Sequence, residues 1–314
     1  MVGRVNCYLI EDDPLTLVDT GPNSGKALDE LEQALAAHGR RVEDLERIVV
    51  THQHIDHEGL LAILARRSGA EVCALDVLAP FLADFGAASE RDDELAEALM
   101  LRHGIPADVV TALRAMSRAF RAWGSAAEVT KPLRDGESLD FAGRRLTVHH
   151  RPGHSPSDTV FHDEERGVLI GGDHLLSRIS SVPLISRPLG GRSGEPVQER
   201  PQALVAYLRS LRETQAMEGV RVVLPGHGED VEDVAGLVDK RIAMHERRAE
   251  KIGRLIAERP CTAHEVAHAL WGNVAVTQAY LTLCEVLGHA DLLIGRGQVT
   301  EVADGGVVRF EAVR

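Results

Sequence analysis

Short apolar runs alternate along much of the chain with amphipathic stretches that close on glycine. Asn6–Ile10 and Leu15–Val18 read as strands around the turn Glu11-Asp12-Asp13-Pro14. Lys26–His38 carries helical spacing and stops at Gly39. Ile48-Val49-Val50 is the next strand, a helix from about Glu58 to Arg67 stops at Gly69, and Glu71–Leu75 is again a strand. Strand and helix alternating through short connections predict a layered α/β body. Strand character returns between Lys131 and Asp173 and in Val222-Val223-Leu224.

Two regions break this rhythm. Residues from about 76 to 128 are helical and rich in Ala, Leu and charge, and read as an insertion. One of its helices places Leu113, Met116, Phe120 and Trp123 three and four apart, with Arg114, Arg118 and Arg121 as a second stripe one position around. The apolar stripe reads as a packed face; the arginines are either a solvated face or a lid that meets an acidic part of a substrate. Ser177–Arg200 is rich in Gly, Pro, Ser and Arg (Arg178, Arg187, Arg192 and Arg200 against Glu195 and Glu199) and reads as a substrate loop rather than a linker.

After His227 a long helical stretch runs to about Glu258, a capping box at Thr262-Ala-His-Glu265 opens a short helix, and another helix covers about Val276–Leu287. Gln298–Val302 and Val307–Ala312 flank the turn at Asp304-Gly305-Gly306 as a hairpin. Helices followed by a terminal hairpin describe a winged helix. The expected organisation is one domain over 1–242 and a small second one over 243–314.

The chemistry lies where the apolar runs end. Ile48-Val49-Val50 leads into Thr51-His52-Gln53-His54-Ile55-Asp56-His57, Leu146-Thr147-Val148 leads to Pro152-Gly153-His154, Val168-Leu169-Ile170 to Gly171-Gly172-Asp173, and Val222-Val223-Leu224 to Pro225-Gly226-His227. In His52-x-His54 an extended chain sends both imidazoles to one side. So many imidazoles in one turn would repel when protonated, and a cation removes that cost; nitrogen donors completed by carboxylates suit zinc. Taken singly, His154, His227 and Asp173 are ordinary loop and cap residues. Their common position after strand-like runs predicts one site at a sheet edge and a metal-dependent hydrolase. His174 reads as a bystander, and Ser155 and Ser157, without a separate His–Asp set, as loop hydrogen bonders.

Composition narrows the substrate. The chain has 314 residues, 44% hydrophobic, 26% charged and only 4% aromatic, so a large aliphatic core is expected. The net charge of −13 repels polyanions at long range. Cys7, Cys73, Cys261 and Cys284 are far apart and form no C-x-x-C, which predicts free thiols in a reducing compartment. With no signal pattern and no run of 18 apolar residues, a cytoplasmic, soluble protein that engages no membrane is expected.

The ordered motifs H-x-H-x-D-H, H, D and H over residues 1 to about 240 resemble the metallo-β-lactamase-fold superfamily of hydrolases. The resemblance implies an α+β fold, an αββα sandwich with a two-metal site at one edge, here followed by the small winged helix. It implies that His52, His54 and His154 bind a first zinc, that Asp56, His57 and His227 bind a second, and that Asp173 bridges them, with iron or manganese as alternative metals. Asp19, in Val18-Asp19-Thr20-Gly21, matches a residue that supports a histidine ligand. His57 and an aspartate at the bridging position depart from true β-lactamases, and His54 departs from flavodiiron proteins, which carry glutamate there. Relatives usually have a strand ahead of Asn6-Cys7-Tyr8-Leu9-Ile10, so a short N-terminus is expected. A winged helix after such a body resembles the group that includes the β-lactamase-like protein 2 endoribonucleases.

The expected reaction is hydrolysis of an ester or thioester resembling glyoxalase II substrates, with Asp56 and Asp173 as the catalytic carboxylates. Single-stranded RNA is the alternative substrate, although no basic groove or stacking aromatics stand out. A metal-sensing DNA-binding regulator is a third reading. Residues 243–314 hold eight Lys or Arg against nine Asp or Glu, and Thr277–Glu285 offers no cation to phosphates, so packing or formation of a homodimer is the expected role of that region.

Overall fold

The computed structural model describes residues 4–190 and 199–313. Two five-stranded sheets form its centre. The first runs β1 (Tyr8–Ile10), β2 (Thr16–Val18), β3 (Arg47–Val49), β4 (Glu71–Leu75), β5 (Lys131–Leu133), antiparallel at β1/β2 and parallel thereafter. The second contains β6 (Ser138–Asp140), β7 (Arg145–His150), β8 (Thr159–Asp163), β9 (Val168–Gly172) and β10 (Val222–Pro225), antiparallel except for β9/β10.

Alternation along the strands sends one set of side chains between the sheets. Ile10, Val18, Val49 and Cys73 from the first meet Leu146, Val148, Phe161 and Ile170 from the second. The other set goes outward under helices. α1 (Gly25–Ala37), α2 (Ile55–Glu58), α3 (Leu61–Ser68) and α4 (Ala79–Ala83) lie on the side of the first sheet, where Leu35, Leu61, Leu64 and Leu82 pack on Leu17, Ile48 and Val72. The layers are therefore helix, sheet, sheet, helix, as expected. Boundaries match within a few residues, except that the helix foreseen over Glu58–Arg67 is split into α2 and α3 and the one foreseen over Val276–Leu287 is broken at Gln278 and runs on to Gly295. β1 also starts late, because the Asn6 backbone N–H donates to the Gly226 carbonyl at 2.7 Å, and its side-chain amide donates to the carbonyls of Pro225 and Gly228, which holds that residue against the β10 loop.

The insertion is a helical hairpin of α5 (Phe85–Arg102) and α6 (Ala107–Phe120). Its arginine stripe turns inward onto α5: Arg114 pairs with Glu90 and Glu97, Arg118 with Glu90, and Arg121 with Glu90 and Asp93. The apolar stripe is therefore not the packed face, and of the arginines only Arg118 is half exposed as on a solvated face. The arginines are neutralised within the hairpin, and the rotation that pairs them leaves Met116, Phe120 and Trp123 exposed, with only Leu113 packed inward.

Beyond α7 (Ala203–Gln215) come α8 (Val234–Glu258), α9 (Ala263–Trp271), α10 (Val274–Thr277), α11 (Ala279–Gly295) and the hairpin β11 (Val299–Asp304) with β12 (Val307–Ala312). α7 and α8 cover the outer face of the second sheet through Leu204, Leu208, Leu211 and Val238. The capping box at Thr262 and Glu265 is formed. The expected boundary at 242/243 lies within α8, which is continuous through it. The last helices also share a core with the insertion: Ile252, Ala267, Leu283 and Leu287 pack with Leu99, Met100, Ile105 and Val110. Among the described residues no helix is long and apolar enough to cross a membrane, and all four cysteines are free.

Candidate metal centre

β7, β9 and β10 point the same way, and the loops that follow them meet the turn after β3 at one edge of the sandwich. All of the expected donors arrive there. His54 Nδ1 is 3.0 Å from His52 Nε2 and 3.0 Å from His154 Nε2. His227 Nε2 is 3.3 Å from Asp56 Oδ2, and His57 Nε2 is 4.0 Å from the same oxygen. Asp173 lies between the two groups, with one oxygen 3.4 Å from His57 Nε2 and the other 3.6 Å from His154 Nε2 and 3.5 Å from His227 Nε2.

The outer nitrogen of each ring decides what its inner one offers. His57 Nδ1 donates to Asp19 Oδ2 at 2.8 Å, His154 Nδ1 to the Val182 carbonyl at 2.9 Å, and His227 Nδ1 to the Arg4 carbonyl at 2.8 Å. The Thr51 hydroxyl donates to Asp19 at 2.8 Å, so its oxygen is free to accept from His52 Nδ1 at 3.0 Å. In these four rings the Nδ1 proton is committed outward and Nε2 is turned inward, the orientation a metal-binding histidine needs once a cation displaces any proton from Nε2. His57 Nε2, His227 Nε2 and Asp173 Oδ1 are buried without a hydrogen-bond partner. Buried polar atoms without partners are costly, and an inward-facing set of nitrogen and carboxylate donors is what a divalent cation satisfies.

Asp19 is the hub of this support. It caps β2 in the left-handed region (φ 59), unusual for a residue with a side chain. In return its carboxylate accepts from Thr51 N, from the Thr51 hydroxyl and from His57. Close packing does the rest. A Cβ on Gly226 would overlap Asp173 Oδ1 and sit 2.6 Å from His57 Cε1, so only glycine lets the His227 loop pass.

The two halves differ electrically. Burial and then neighbouring imidazoles hold His52 and His154 well below the ordinary histidine value, and burial holds His54 at about 4. These rings are neutral donors at pH 7. Burial pulls His57 down as well, but Asp19, Asp173 and Asp56 outweigh it and lift it to about 10. Burial pushes the Asp173 carboxyl up, partly offset by His57 and His227. Asp56 goes the other way: burial raises it, and the adjacent imidazoles hold it below the usual carboxylate range. Its side chain is 40% exposed, which makes it the carboxylate most open to the cleft.

That cleft has a volume of about 390 Å³, with His54, Asp56, His154 and Asp173 on its floor. Its walls are Phe81 of α4, Phe85 and Asp92 of α5, Leu176 to Ser186 after Asp173, and Leu281 of α11. The segment expected as a substrate loop thus lines the cleft over part of its length. Its described arginines do not line it: Arg178 pairs with Glu229, Arg200 with Asp291 and Glu301, and Arg187 anchors through its backbone N–H on Asp92. Arg192 and Glu195 lie outside the described residues. His174 bonds Thr214 away from the centre, Ser155 bonds Asp158, and Ser157 bonds Gln53. Sequence reasoning does not single out Thr51 or the carbonyls of Arg4 and Val182. Of these only Thr51, next to His52, carries a side-chain signal.

Comparison with known proteins places this geometry. The Metallo-beta-lactamase superfamily matches over residues 1–227. A probable metallo-hydrolase of Bacillus subtilis, YqjP, is 33% identical over 313 residues, spanning 100% of this chain and 95% of its own. The crystal structure of the metallo-beta-lactamase family protein TTHA1429 from Thermus thermophilus superposes with a TM-score of 0.79 at 30% identity, covering 98% of this chain and 94% of that one. The acyl-coenzyme A thioesterase MBLAC2 of Bos taurus is 32% identical over 129 residues, 40% of this chain and 39% of its own. With the family matched across both sheets and the donor loops, and a relative matched from end to end, this chain belongs to the metallo-beta-lactamase superfamily and is one of its metallo-hydrolases.

Proposed function

We propose that the protein is a dinuclear zinc hydrolase of ester or thioester bonds in a small acyl substrate. His52, His54 and His154 would hold one ion, Asp56, His57 and His227 the other, with Asp173 between them. The observation that carries this reading is the set of inward Nε2 atoms fixed by outer hydrogen bonds around Asp173. Such a pair of ions supplies a nucleophilic water at neutral pH and an electrophile for the carbonyl oxygen. The chain's own part is to hold those groups in place and keep bulk water out. Asp56, the most open carboxylate, is placed to orient the attacking water, and the apolar walls fit an acyl chain better than a nucleotide. The partial likeness to an acyl-coenzyme A thioesterase agrees with this choice.

The C-terminal helices and hairpin fit a winged-helix-like unit used for packing. Twelve residues of α11 are buried, so it cannot lie in a DNA groove, and Leu281 forms part of the cleft wall. Free cysteines and the absence of a membrane-crossing helix among the described residues fit a cytoplasmic enzyme.

The test pairs zinc content with hydrolysis of acyl-coenzyme A thioesters of graded chain length and of a single-stranded RNA oligomer. About two zinc ions in this centre with thioester cleavage is the expected result, and cleavage of RNA alone would overturn the acyl reading. Asp173→Ala should abolish turnover and lower the zinc content. Hydrolysis near the wild-type rate in that variant would remove Asp173 from the centre.

A further inference from the structure

A second set of donors lies behind the cleft wall, on helices that hold none of the first. His245 is on α8, and Glu285 and His289 are one turn apart on α11; all three are buried, and their donor atoms lie within 4.8 Å of one another. His245 Nδ1 and His289 Nε2 face each other at 3.2 Å. The outer nitrogen of each ring rests on an oxygen: His289 Nδ1 donates to the Glu285 carbonyl at 2.6 Å, and His245 Nε2 lies 3.3 Å from the Ser180 hydroxyl. This repeats the wiring of the first centre, with outer nitrogens on oxygen and inner nitrogens converging.

With both protons on the outer nitrogens, two lone pairs face each other at a separation that suits an ion about 2.0–2.1 Å from each. With the His245 proton on Nδ1 instead, the pair closes as a single His–His hydrogen bond, which a divalent cation between the two nitrogens would replace. Glu285 supplies the negative charge. Its Oε2 accepts from Arg248 at 2.7 Å and lies 3.7 Å from His289 Nδ1, so the carboxylate is held beside the histidine pair.

We propose that His245, Glu285 and His289 form a structural site for one divalent cation of the zinc class, which clamps α11 to α8 behind the cleft. It is independent of the acyl-hydrolase reading. The test measures zinc per chain by elemental analysis, and the rise in Tm on adding zinc, for the full chain and for His245→Gln, His289→Gln and Glu285→Gln. Loss of one equivalent and a smaller zinc-dependent Tm rise in the folded variants is expected. The three substitutions are read together, so that one failing to fold leaves the others to decide. Equal zinc content in wild type and variants would overturn the site. His54→Gln serves as the separate control: if it binds as much zinc as the wild type, the first centre fails and this one is untouched.

Discussion

At the scale of single residues, the centre depends on groups that never face the substrate. Asp19 holds Thr51 by two hydrogen bonds and His57 by a third, and through Thr51 it also sets the His52 tautomer. Asp19→Ala should weaken zinc binding about 10–100-fold, the usual effect of removing such a support. Chelator competition measures this, and unchanged affinity would show that the ring orientations are set elsewhere. His103 is a different case. It is fully buried, stacked on Phe310, and neither ring nitrogen has a hydrogen-bond partner. Burial, aided by Arg200 and Arg102, holds it at about 3 against an ordinary value of 6.5. Between those values the unfolded chain takes up a proton that the folded chain refuses. The contribution is therefore complete above pH 6.5 and is lost as pH falls toward 3. His103→Leu should stabilise the protein by on the order of 1 kcal/mol at pH 7 and flatten the acid limb of a stability–pH curve; an unchanged limb would show that the ring titrates normally.

At the scale of elements, legibility follows the locality of the signal. His52, His54, Asp56 and His57 stand within six residues and can be read directly, whereas His154, Asp173 and His227 become visible only by their shared position after strand-like runs. The carbonyls of Arg4 and Val182 leave no mark in a sequence, because every residue has one. The face of α6 is misread for a related reason. Periodicity shows that an apolar stripe and an arginine stripe exist, but the acids of α5 decide which one turns inward. The pair Glu285 and His289 has a visible helical spacing, but nothing in the sequence connects it to His245 on another helix. The contact between the insertion and the metal loop is testable. A Cβ on Gly59 would overlap the Trp123 carbonyl and Asn23 N, while Asn23 N donates to that carbonyl at 2.8 Å. Gly59→Ala should destabilise the chain by about 1–3 kcal/mol, as overpacking does. It should also loosen the segment after α6, which hydrogen exchange at Asn23 and Gly124 would report; a variant as stable and as protected as wild type would mean that the contact yields freely.

At the scale of the whole molecule, the insertion and the C-terminal helices act as one body around the cleft. Leu99, Met100, Ile105 and Val110 share their core with Ile252, Leu283 and Leu287. A chain ended after residue 242 would expose that face, so it should aggregate or lose the α5–α6 hairpin. Light scattering and circular dichroism would show this, and a monomeric, fully helical product would establish instead that the first 242 residues fold alone. The N-terminal side of the metal centre carries a more practical consequence. His227, the last donor along the chain, is tied through its outer nitrogen to the Arg4 carbonyl, and Asn6 is bonded to Pro225 and Gly228 on either side of it. An affinity tag fused just ahead of Arg4 is therefore no inert handle. A tag there would adjoin the same few atoms that aim an imidazole, and preparations tagged at opposite ends would be expected to differ in zinc occupancy even though their sequences are otherwise the same.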